Sequence, residues 1–371
     1  MQPLKRNILL NPGPATTTDT VKQALVVPDI CPREQEFGAL VGAVRRKLVE
    51  VVNGARTHMA VLFAASGTGA VEAVISSVVG PGDRILIHSN GAYGRRMIEI
   101  GRVFLAPDQV VVVEQPFGTY PDVARLEELI DRTPRLTHLA LVHHETTTGM
   151  LNPAHRLVEI TRRRGVLLIL DAMSSYAGVP MDLQQTPYDF VVSSANKCLQ
   201  GMPGISFVIA NRQCLESSAD HPARNYYFNL WRQHQCLERS GQMPFTPPVQ
   251  VLYALNRALD EYFEETGARR RARYTASWEA LVAGLRALHL ELLLPLEQHS
   301  RILTAVLEPS HPNYSFQTMH DELYARGFTI YPGIIPDLRT FRLANLGAID
   351  RTDIEAFLEV LRTYLDEHGI L

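Results

Sequence analysis

The chain has 371 residues, with 36 basic and 39 acidic side chains and a formal net charge of −3. This balance excludes a typical nucleic-acid-binding protein, which gathers a basic excess on one face, and a polybasic membrane anchor. The longest unbroken apolar run, residues 59–65, is far shorter than the roughly 20 residues that a membrane helix needs. The length favours two or three structural units.

The cysteines and the start of the chain both indicate a reducing compartment. The four cysteines contain no CxxC pair, which favours free thiols over a disulfide framework or a zinc site. The apolar stretch near the start is interrupted at residues 11–14 (NPGP), before it reaches the length of a signal-peptide core. We therefore expect a cytoplasmic protein.

Residues 58–210 alternate between short apolar runs and longer amphipathic segments. Apolar residues in direct succession are typical of strands buried on both faces of a parallel sheet. The predicted strands are residues 59–65, 84–88, 110–113, 139–142, 166–170, 190–193 and 205–210. Segments such as 69–79 and 153–164 read as helices. This alternation predicts an α/β fold with a mostly parallel sheet covered by helices.

The pattern changes after residue 210. Residues 249–288 predict long helices, and we interpret the arginine run at 269–273 as a solvated helix face. Strands are predicted near 302–307 and 341–344, before an amphipathic helix that ends the chain. A small α+β domain is therefore expected after the large α/β domain.

The first candidate site is Ser66-Gly67-Thr68-Gly69, which follows a predicted strand and opens a helix. Backbone N–H groups at a glycine-rich helix start, with hydroxyls beside them, can hold a phosphate. Glu72 stands where a dinucleotide fingerprint needs its third glycine, and the lysine of a P-loop is absent. A purely structural turn is the alternative.

Asp171 and Lys197 each follow a predicted strand. The carboxyl ends of such strands are where α/β sheets bind ligands, although Asp171 could instead cap a turn. The sequence has only four lysines, and Lys197 is the only one after position 47. Lysine can lose its proton and act as an amine nucleophile, whereas arginine stays charged. The Ser194-x-x-Lys197 spacing also fits a penicillin-binding serine motif, but the companion Ser-Asp-Asn and Lys-Thr-Gly elements are absent.

Arg342 lies between apolar neighbours on a predicted strand. Such an arginine either snorkels to solvent or binds a planar anion. A phosphate cradle, a strand-end aspartate, a lysine and this arginine together suit pyridoxal 5′-phosphate (PLP). The lysine would bind the cofactor covalently, and the aspartate would keep the ring nitrogen protonated.

Several segments resemble the class V aminotransferases of fold type I, and the similarity spans essentially the whole chain. The segments are residues 10–14 (LNPGP), 89–94 (SNGAYG), 145–153 (ETTTGMLNP), 171–175 (DAMSS), 193–198 (SSANKC), 245–246 (FT) and 331–333 (YPG). Residues 171–175 and 194–197 are most specific to a branch that acts on phosphonates. The resemblance implies a large PLP-binding domain at 1–265, with segment 1–22 packing across it, and a small domain at 266–371.

The resemblance also implies roles for individual residues. Lys197 and Asp171 would be catalytic. The cofactor would be held by Ser66, Gly67, Thr68, Tyr93, Thr146, Asp171, Met173, Asn196 and Lys197. Thr246 would reach the phosphate of the neighbouring subunit's cofactor, which implies a homodimer with shared active sites. Arg342 would bind the acidic group of the substrate, with Arg33, Arg95 or Arg96 as candidates for a second cation.

The implied reaction moves the amino group of 2-aminoethylphosphonate to pyruvate and gives phosphonoacetaldehyde and L-alanine. Three alternatives remain open at this point. The first is another aminotransferase, of the alanine–glyoxylate or serine–pyruvate type or from phosphonate biosynthesis. The second is a lyase or desulfurase that would need a mobile cysteine, a role for which Cys198 is poorly placed. The third is a cofactor-free binding protein on the same scaffold.

Overall fold

The computed structural model describes residues 7–371, so Lys5 and the first part of segment 1–22 lie outside the described residues. The helices are α1 (Asp19–Gln23), α2 (Gln35–Val51), α3 (Gly67–Val78), α4 (Ala92–Phe104), α5 (Val123–Arg132), α6 (Ala154–Arg163), α7 (Arg212–Glu216), α8 (Leu230–Ser240), α9 (Val249–Glu265), α10 (Gly267–Ala287), α11 (Phe316–Ala325) and α12 (Arg351–Glu367). The strands are β1 (Ile8–Leu9), β2 (His58–Phe63), β3 (Arg84–Ser89), β4 (Val110–Glu114), β5 (Leu136–Val142), β6 (His144–Glu145), β7 (Met150–Leu151), β8 (Leu167–Asp171), β9 (Phe190–Ser194), β10 (Ser206–Asn211), β11 (Leu303–Leu307), β12 (Phe328–Thr329), β13 (Tyr331–Pro332) and β14 (Thr340–Ala344).

The central sheet of the described residues has seven strands in the order β2-β10-β9-β8-β5-β3-β4. Strands β4, β3, β5, β8 and β9 run parallel, and β10 runs antiparallel to both of its neighbours. Every residue of β2 and β9 is buried, including His58 of β2 and the two serines at the end of β9, so both faces of these strands are covered. The predicted α/β fold with a mostly parallel, helix-covered sheet is confirmed.

The parallel strands bring their carboxyl ends to one edge of the sheet. Val142 at the end of β5 is in register with Asp171 at the end of β8, which lies beside Val192 of β9. The strand predicted over 59–65 ends at Phe63, because the next two residues already bend toward α3. This edge therefore collects the segments in which the sequence predicted chemistry.

A second core lies in the C-terminal part of the chain. The antiparallel sheet β11-β14-β13 packs there with α11, α12 and the end of α10. Tyr274, near the start of α10, belongs to the large core, whereas Leu281 and Leu285 belong to the second. Leu10 from the N-terminal segment also enters the second core. The chain thus passes from one core to the other along α10.

The arginine run at 269–273 is not a solvated face, so that interpretation is wrong. Arg270 is only 1% exposed, and its guanidinium pairs with Glu265 at 2.6 Å. Arg273 pairs with the same carboxylate at 2.7 Å. Arg270 also donates to the loop after β9 and Arg273 to the loop after β14, and a buried guanidinium requires such partners. Arg269 is exposed, as predicted for the run.

Within residues 7–371, no helix combines the length and the apolar character needed to cross a bilayer.

Candidate active site

A cavity of about 450 Å³ opens at the carboxyl edge of the sheet. Small-molecule sites typically have volumes of about 300–1,000 Å³. The lining residues are Ser66, Gly67, Thr68, Val71, Tyr93, Arg96, Met97, Asp171, Met173, Ser194, Asn196, Lys197, Pro203 and Gly204. Eight of the predicted cofactor residues therefore lie around one space: Ser66, Gly67, Thr68, Tyr93, Asp171, Met173, Asn196 and Lys197.

One wall of the cavity is the N-terminus of α3. Ser66 is the N-cap residue, and its hydroxyl makes no capping hydrogen bond. A Cβ atom at Gly67 would lie 2.2 Å from Sδ of Met173, so the close approach of Met173 requires glycine here. The first N–H groups of a helix and its dipole favour an anion. This end of the cavity is therefore suited to a phosphate group.

Asp171 closes β8 and is buried beside the cavity. Its Oδ1 accepts a hydrogen bond from the backbone N–H of Met173 at 2.9 Å, and within residues 7–371 its Oδ2 receives none. Burial raises the pKa of Asp171 to about 6, against the opposing effects of the Met173 hydrogen bond and the charges of Arg96 and Lys197. A cation placed against Oδ2 would hold this carboxyl ionised.

Lys197 lies in the turn after β9, and its Nζ donates a hydrogen bond to the Pro12 carbonyl at 2.5 Å. Burial lowers the pKa of Lys197 to about 8, although the nearby Cys198 and Asp171 act in the opposite direction. A fraction of the amine is therefore uncharged near neutral pH, which a nucleophilic lysine requires.

Arg342 lies on β14 and is 4% exposed. Its Nε donates to the Pro332 carbonyl at 3.0 Å, and its Nη1 donates to the Thr146 carbonyl at 3.4 Å. Burial lowers the pKa of Arg342, while Tyr93 raises it through its charge and a hydrogen bond. The guanidinium thus contacts Tyr93, a cavity residue, and its charge acts on Lys197. Arg342 itself does not line the cavity and lies beside it, next to Tyr93.

The described structure leaves four of the predicted site residues outside the cavity lining: Arg342, Thr146, Thr246 and Arg33. Thr146 is buried, and its carbonyl contacts Arg342. Thr246 is exposed. Arg33 is also exposed, and its guanidinium donates to the Met243 carbonyl at 2.6 Å, close in sequence to Thr246. Neither Thr246 nor Arg33 reaches the cavity of its own chain.

Arg96 and Arg95 have different surroundings. Arg96 lines the cavity, where its guanidinium lies 4.9 Å from the centre of the Tyr93 ring and donates to Oγ1 of Thr68 at 3.3 Å. Arg95 instead pairs with Glu114 at 2.8 Å outside the cavity. Arg96 is therefore a cation of the cavity, on the side of Thr68.

Sequence reasoning gave no role to Glu145, which is completely buried. Its Oε2 accepts the backbone N–H groups of Tyr93 and Gly94, both at 3.2 Å, and its Oε1 accepts the N–H of Thr147 at 3.1 Å. The carboxylate thus fixes the first turn of α4 and the position of Tyr93. Acidic residues favour helix N-termini, but this one arrives from a distant part of the chain.

Comparisons with known proteins point to one family. The family model described as Aminotransferase class-V matches residues 21–324. The chain is 41% identical to a 2-aminoethylphosphonate–pyruvate transaminase of Salmonella heidelberg over 360 residues, which are 96% of this chain and 97% of the relative. It is 40% identical to the enzyme of that name from Salmonella typhimurium, over the same shares of both chains.

Solved structures are similar over almost the entire fold. An alanine–glyoxylate aminotransferase of Nostoc sp. matches with a TM-score of 0.91 and 25% identity, over 98% of this chain and 97% of the other. A pyridoxamine–pyruvate aminotransferase of Mesorhizobium loti matches with a TM-score of 0.90 and 22% identity, over 98% and 93%. The expected fold type I architecture is confirmed.

Proposed function

The chain belongs to the class V aminotransferase family, which uses PLP, and from this premise we propose that it transfers the amino group of 2-aminoethylphosphonate to pyruvate. The products would be phosphonoacetaldehyde and L-alanine. One observation carries the choice of substrate: the 41% identity, over 96% of the chain, to a relative named for this reaction. An amino donor and a 2-oxo acid acceptor are the small-molecule partners of an aminotransferase.

The residues around the cavity fit PLP. The N-terminus of α3, with the free hydroxyl of Ser66, suits the phosphate. Oδ2 of Asp171 is available for the ring nitrogen, and the amine of Lys197 lies in the same cavity. When bound, PLP supplies an electrophilic carbonyl carbon for an amine and an electron sink for the carbon that loses its proton.

Asp171 and Tyr93 prepare the ring for this chemistry. The carboxylate of Asp171 would accept a hydrogen bond from the protonated ring nitrogen, and that cation would keep the carboxylate ionised although burial raises its pKa to about 6. The ring of Tyr93 lines the cavity and would provide a flat apolar surface for the cofactor ring. Because Glu145 fixes the backbone at Tyr93, this surface is held in place before substrate arrives.

Lys197 moves the proton. With PLP bound, Nζ of Lys197 would act as a general acid–base that takes the proton from the amine-bearing carbon of the donor and later gives it up. Its pKa of about 8 lies close to neutral, which suits a group that must both accept and release a proton. The second half of the reaction reverses these transfers on pyruvate.

Arg342 binds the anionic group of each substrate in turn. Guanidinium groups bind carboxylates and phosphonate-like anions through paired N–H donors. The phosphonate carries more negative charge than a carboxylate, so we propose a second cation at this end of the site. Arg33 of the partner subunit is our candidate, because Arg33 lies away from the cavity of its own chain.

We also propose a homodimer with shared active sites, because predicted site residues lie outside the cavity of their own chain. Thr246 is exposed and lies outside the cavity, so it can contact the cofactor phosphate only in a partner subunit.

The four free cysteines favour a reducing compartment, and we propose the cytoplasm.

A donor panel tests the proposal. Purified holoenzyme is incubated with pyruvate and 2-aminoethylphosphonate or serine, and in parallel with glyoxylate and alanine. We expect fast alanine formation from the phosphonate and pyruvate, and slower turnover of the other pairs. The likeness to the Nostoc alanine–glyoxylate enzyme makes alanine with glyoxylate the second candidate. Preference for that pair, with no turnover of the phosphonate, would reject the proposed substrate.

A further inference from the structure

The arginine-rich start of α10 contacts the loop that contains Lys197 and the loop that follows the strand of Arg342. One loop follows β9 and contains Lys197, and the other follows β14 and therefore Arg342. The helix itself contributes no residue to the cavity lining. Its hydrogen bonds nevertheless attach both loops to the same helix.

On the lysine side, α10 holds the backbone just after Lys197. Nη1 of the buried Arg270 donates to the Cys198 carbonyl at 2.9 Å. Nε2 of Gln200 donates to the hydroxyl of Tyr274 at 2.8 Å and to the Gly347 carbonyl at 2.9 Å. The loop of Lys197 is therefore tied to α10 and, through Gln200, directly to the loop after β14.

On the arginine side, α10 holds the backbone just after Arg342. Nη1 of Arg273 donates to the carbonyls of Gly347 at 2.8 Å and Ile349 at 2.6 Å. Nδ2 of Asn345 donates to the Tyr274 carbonyl at 2.8 Å, and Asn345 is only three positions after Arg342. The strand of Arg342 thus continues into a loop that is fixed to α10.

Glu265 links the two sides. Its carboxylate pairs with Arg270 at 2.6 Å and with Arg273 at 2.7 Å. Burial alone would raise the pKa of Glu265, but the hydrogen bonds from Arg273 and Arg270 outweigh it and lower the pKa. The carboxylate therefore stays ionised, and the three side chains form one charged cluster between the loops.

We propose that the Arg270–Glu265–Arg273 cluster is a positioning device that sets the separation between Nζ of Lys197 and the guanidinium of Arg342. A substrate must place its reacting amine near Lys197 while its anionic group lies on Arg342. Among donors that carry the same anionic group, the cluster thereby determines the preferred number of carbons between the amine and the anion. This inference rests on the roles assigned to Lys197 and Arg342 in the proposed function.

Donors of different length test the inference. The unsubstituted holoenzyme and the Arg273→Met holoenzyme are each assayed with three donors, and pyruvate is the acceptor. The donors are aminomethylphosphonate, 2-aminoethylphosphonate and 3-aminopropylphosphonate. The readout is kcat/KM for 2-aminoethylphosphonate divided by kcat/KM for 3-aminopropylphosphonate. This ratio does not depend on the active fraction of a preparation. We expect Arg273→Met to lower this ratio about tenfold, because a misplacement of about 1 Å between reacting groups has effects of this size or larger.

Two further variants separate positioning from simple stability. Arg269→Met removes an exposed arginine of the same run and should leave the ratio unchanged. If Arg273→Met fails to fold, Glu265→Gln keeps both arginines and should lower the ratio by a smaller factor. A ratio that stays within twofold of the unsubstituted enzyme in both cluster variants, with only a lower Tm, would overturn the inference.

The failure of the proposed function has a different signature. In that case the unsubstituted enzyme itself would not turn over any phosphonate. The same variants are then assayed with alanine and with β-alanine as donors and glyoxylate as acceptor. In these two donors the separation between the amine and the carboxylate also differs by one carbon. Arg273→Met must lower the preference for alanine, and an unchanged preference would contradict the positioning role.

Discussion

Lys197 differs from the other described lysines in what surrounds its amine. Lys22 pairs with Asp19 at 3.0 Å, and Lys47 pairs with Asp260 at 2.5 Å. The amine of Lys197 instead donates to the Pro12 carbonyl inside the cavity. Two lysines thus have ordinary ion-pair surroundings, whereas the third is partly desolvated beside an aspartate. The low lysine count marked this residue in the sequence, and the contact with Pro12 explains how its amine is held.

The first prediction concerns the pH dependence of cofactor binding. Lys197 must be uncharged to react with PLP, and burial lowers its pKa from the ordinary 10.5 to about 8. The uncharged fraction therefore grows as the pH rises through 8. We expect the rate at which apoenzyme gains its visible absorption band to rise with pH and level off above about 8. A midpoint near 10.5 would contradict this, and Lys197→Ala should show no such band.

The second prediction concerns Arg342. Arg342→Lys keeps the positive charge but loses the planar, two-pronged donor pattern and the hydrogen bonds to Pro332 and Thr146. We expect KM for both the donor and pyruvate to rise about tenfold or more, since hydrogen bonds to charged groups contribute about 1.5–3 kcal/mol. Steady-state kinetics measures this, and PLP affinity serves as the control. Unchanged KM values for both substrates would reject the role of Arg342.

At the scale of elements, the start of α3 depends on a close approach between the backbone of Gly67 and the side chain of Met173, which come from distant segments. The third prediction is that Gly67→Ala weakens PLP binding, because the new methyl group would lie 2.2 Å from Sδ of Met173. Met173→Ala in addition should restore part of the affinity by removing the collision. Spectroscopic titration of apoenzyme with PLP measures both variants.

Gly38→Ala is the matched control for that experiment. Gly38 lies inside α2, where an added Cβ would lie at an ordinary 3.8 Å from the Gly241 carbonyl oxygen. Alanine there should leave PLP affinity unchanged and raise the free energy of unfolding by about 0.5–1 kcal/mol, since glycine is unfavourable inside a helix. If Gly67→Ala also left PLP affinity unchanged, the α3 N-terminus would not be the phosphate site.

The sequence predicted most of the central sheet and part of the cavity for a physical reason. Parallel strands end at one edge, so a carboxylate after β8 and a lysine after β9 must lie near each other. Arg270 was misinterpreted, because a run of charges does not reveal which members meet a buried carboxylate elsewhere. Glu145 and Pro12 were missed as well, since their contacts with Tyr93 and Lys197 join segments that are far apart in the chain.

At the scale of the whole molecule, two cores meet along α10, and every residue that lines the cavity comes from residues 66–204. The division at residues 265 and 266 remains our proposal for the domain boundary. It coincides with Glu265, which holds arginines on the first turns of α10. In this arrangement the boundary lies at the cluster that positions the loops of Lys197 and Arg342.

The fourth prediction concerns the assembly. We expect a dimer in solution, and we expect Thr246→Ala to weaken PLP binding although Thr246 lies outside the cavity of its own chain. Sedimentation analysis and PLP titration measure the two effects. Ser217→Ala removes another exposed hydroxyl and should leave PLP affinity unchanged. A monomer that binds PLP with full affinity would contradict the shared site.

The most direct test of the account follows both products of the reaction at once. Holoenzyme is incubated with 2-aminoethylphosphonate and pyruvate, and phosphorus NMR records phosphonoacetaldehyde while amino-acid analysis records alanine. We predict equal amounts of the two products, and none of either with Lys197→Ala. No turnover of the phosphonate by PLP-loaded enzyme, or release of aldehyde without alanine, would contradict the proposed function.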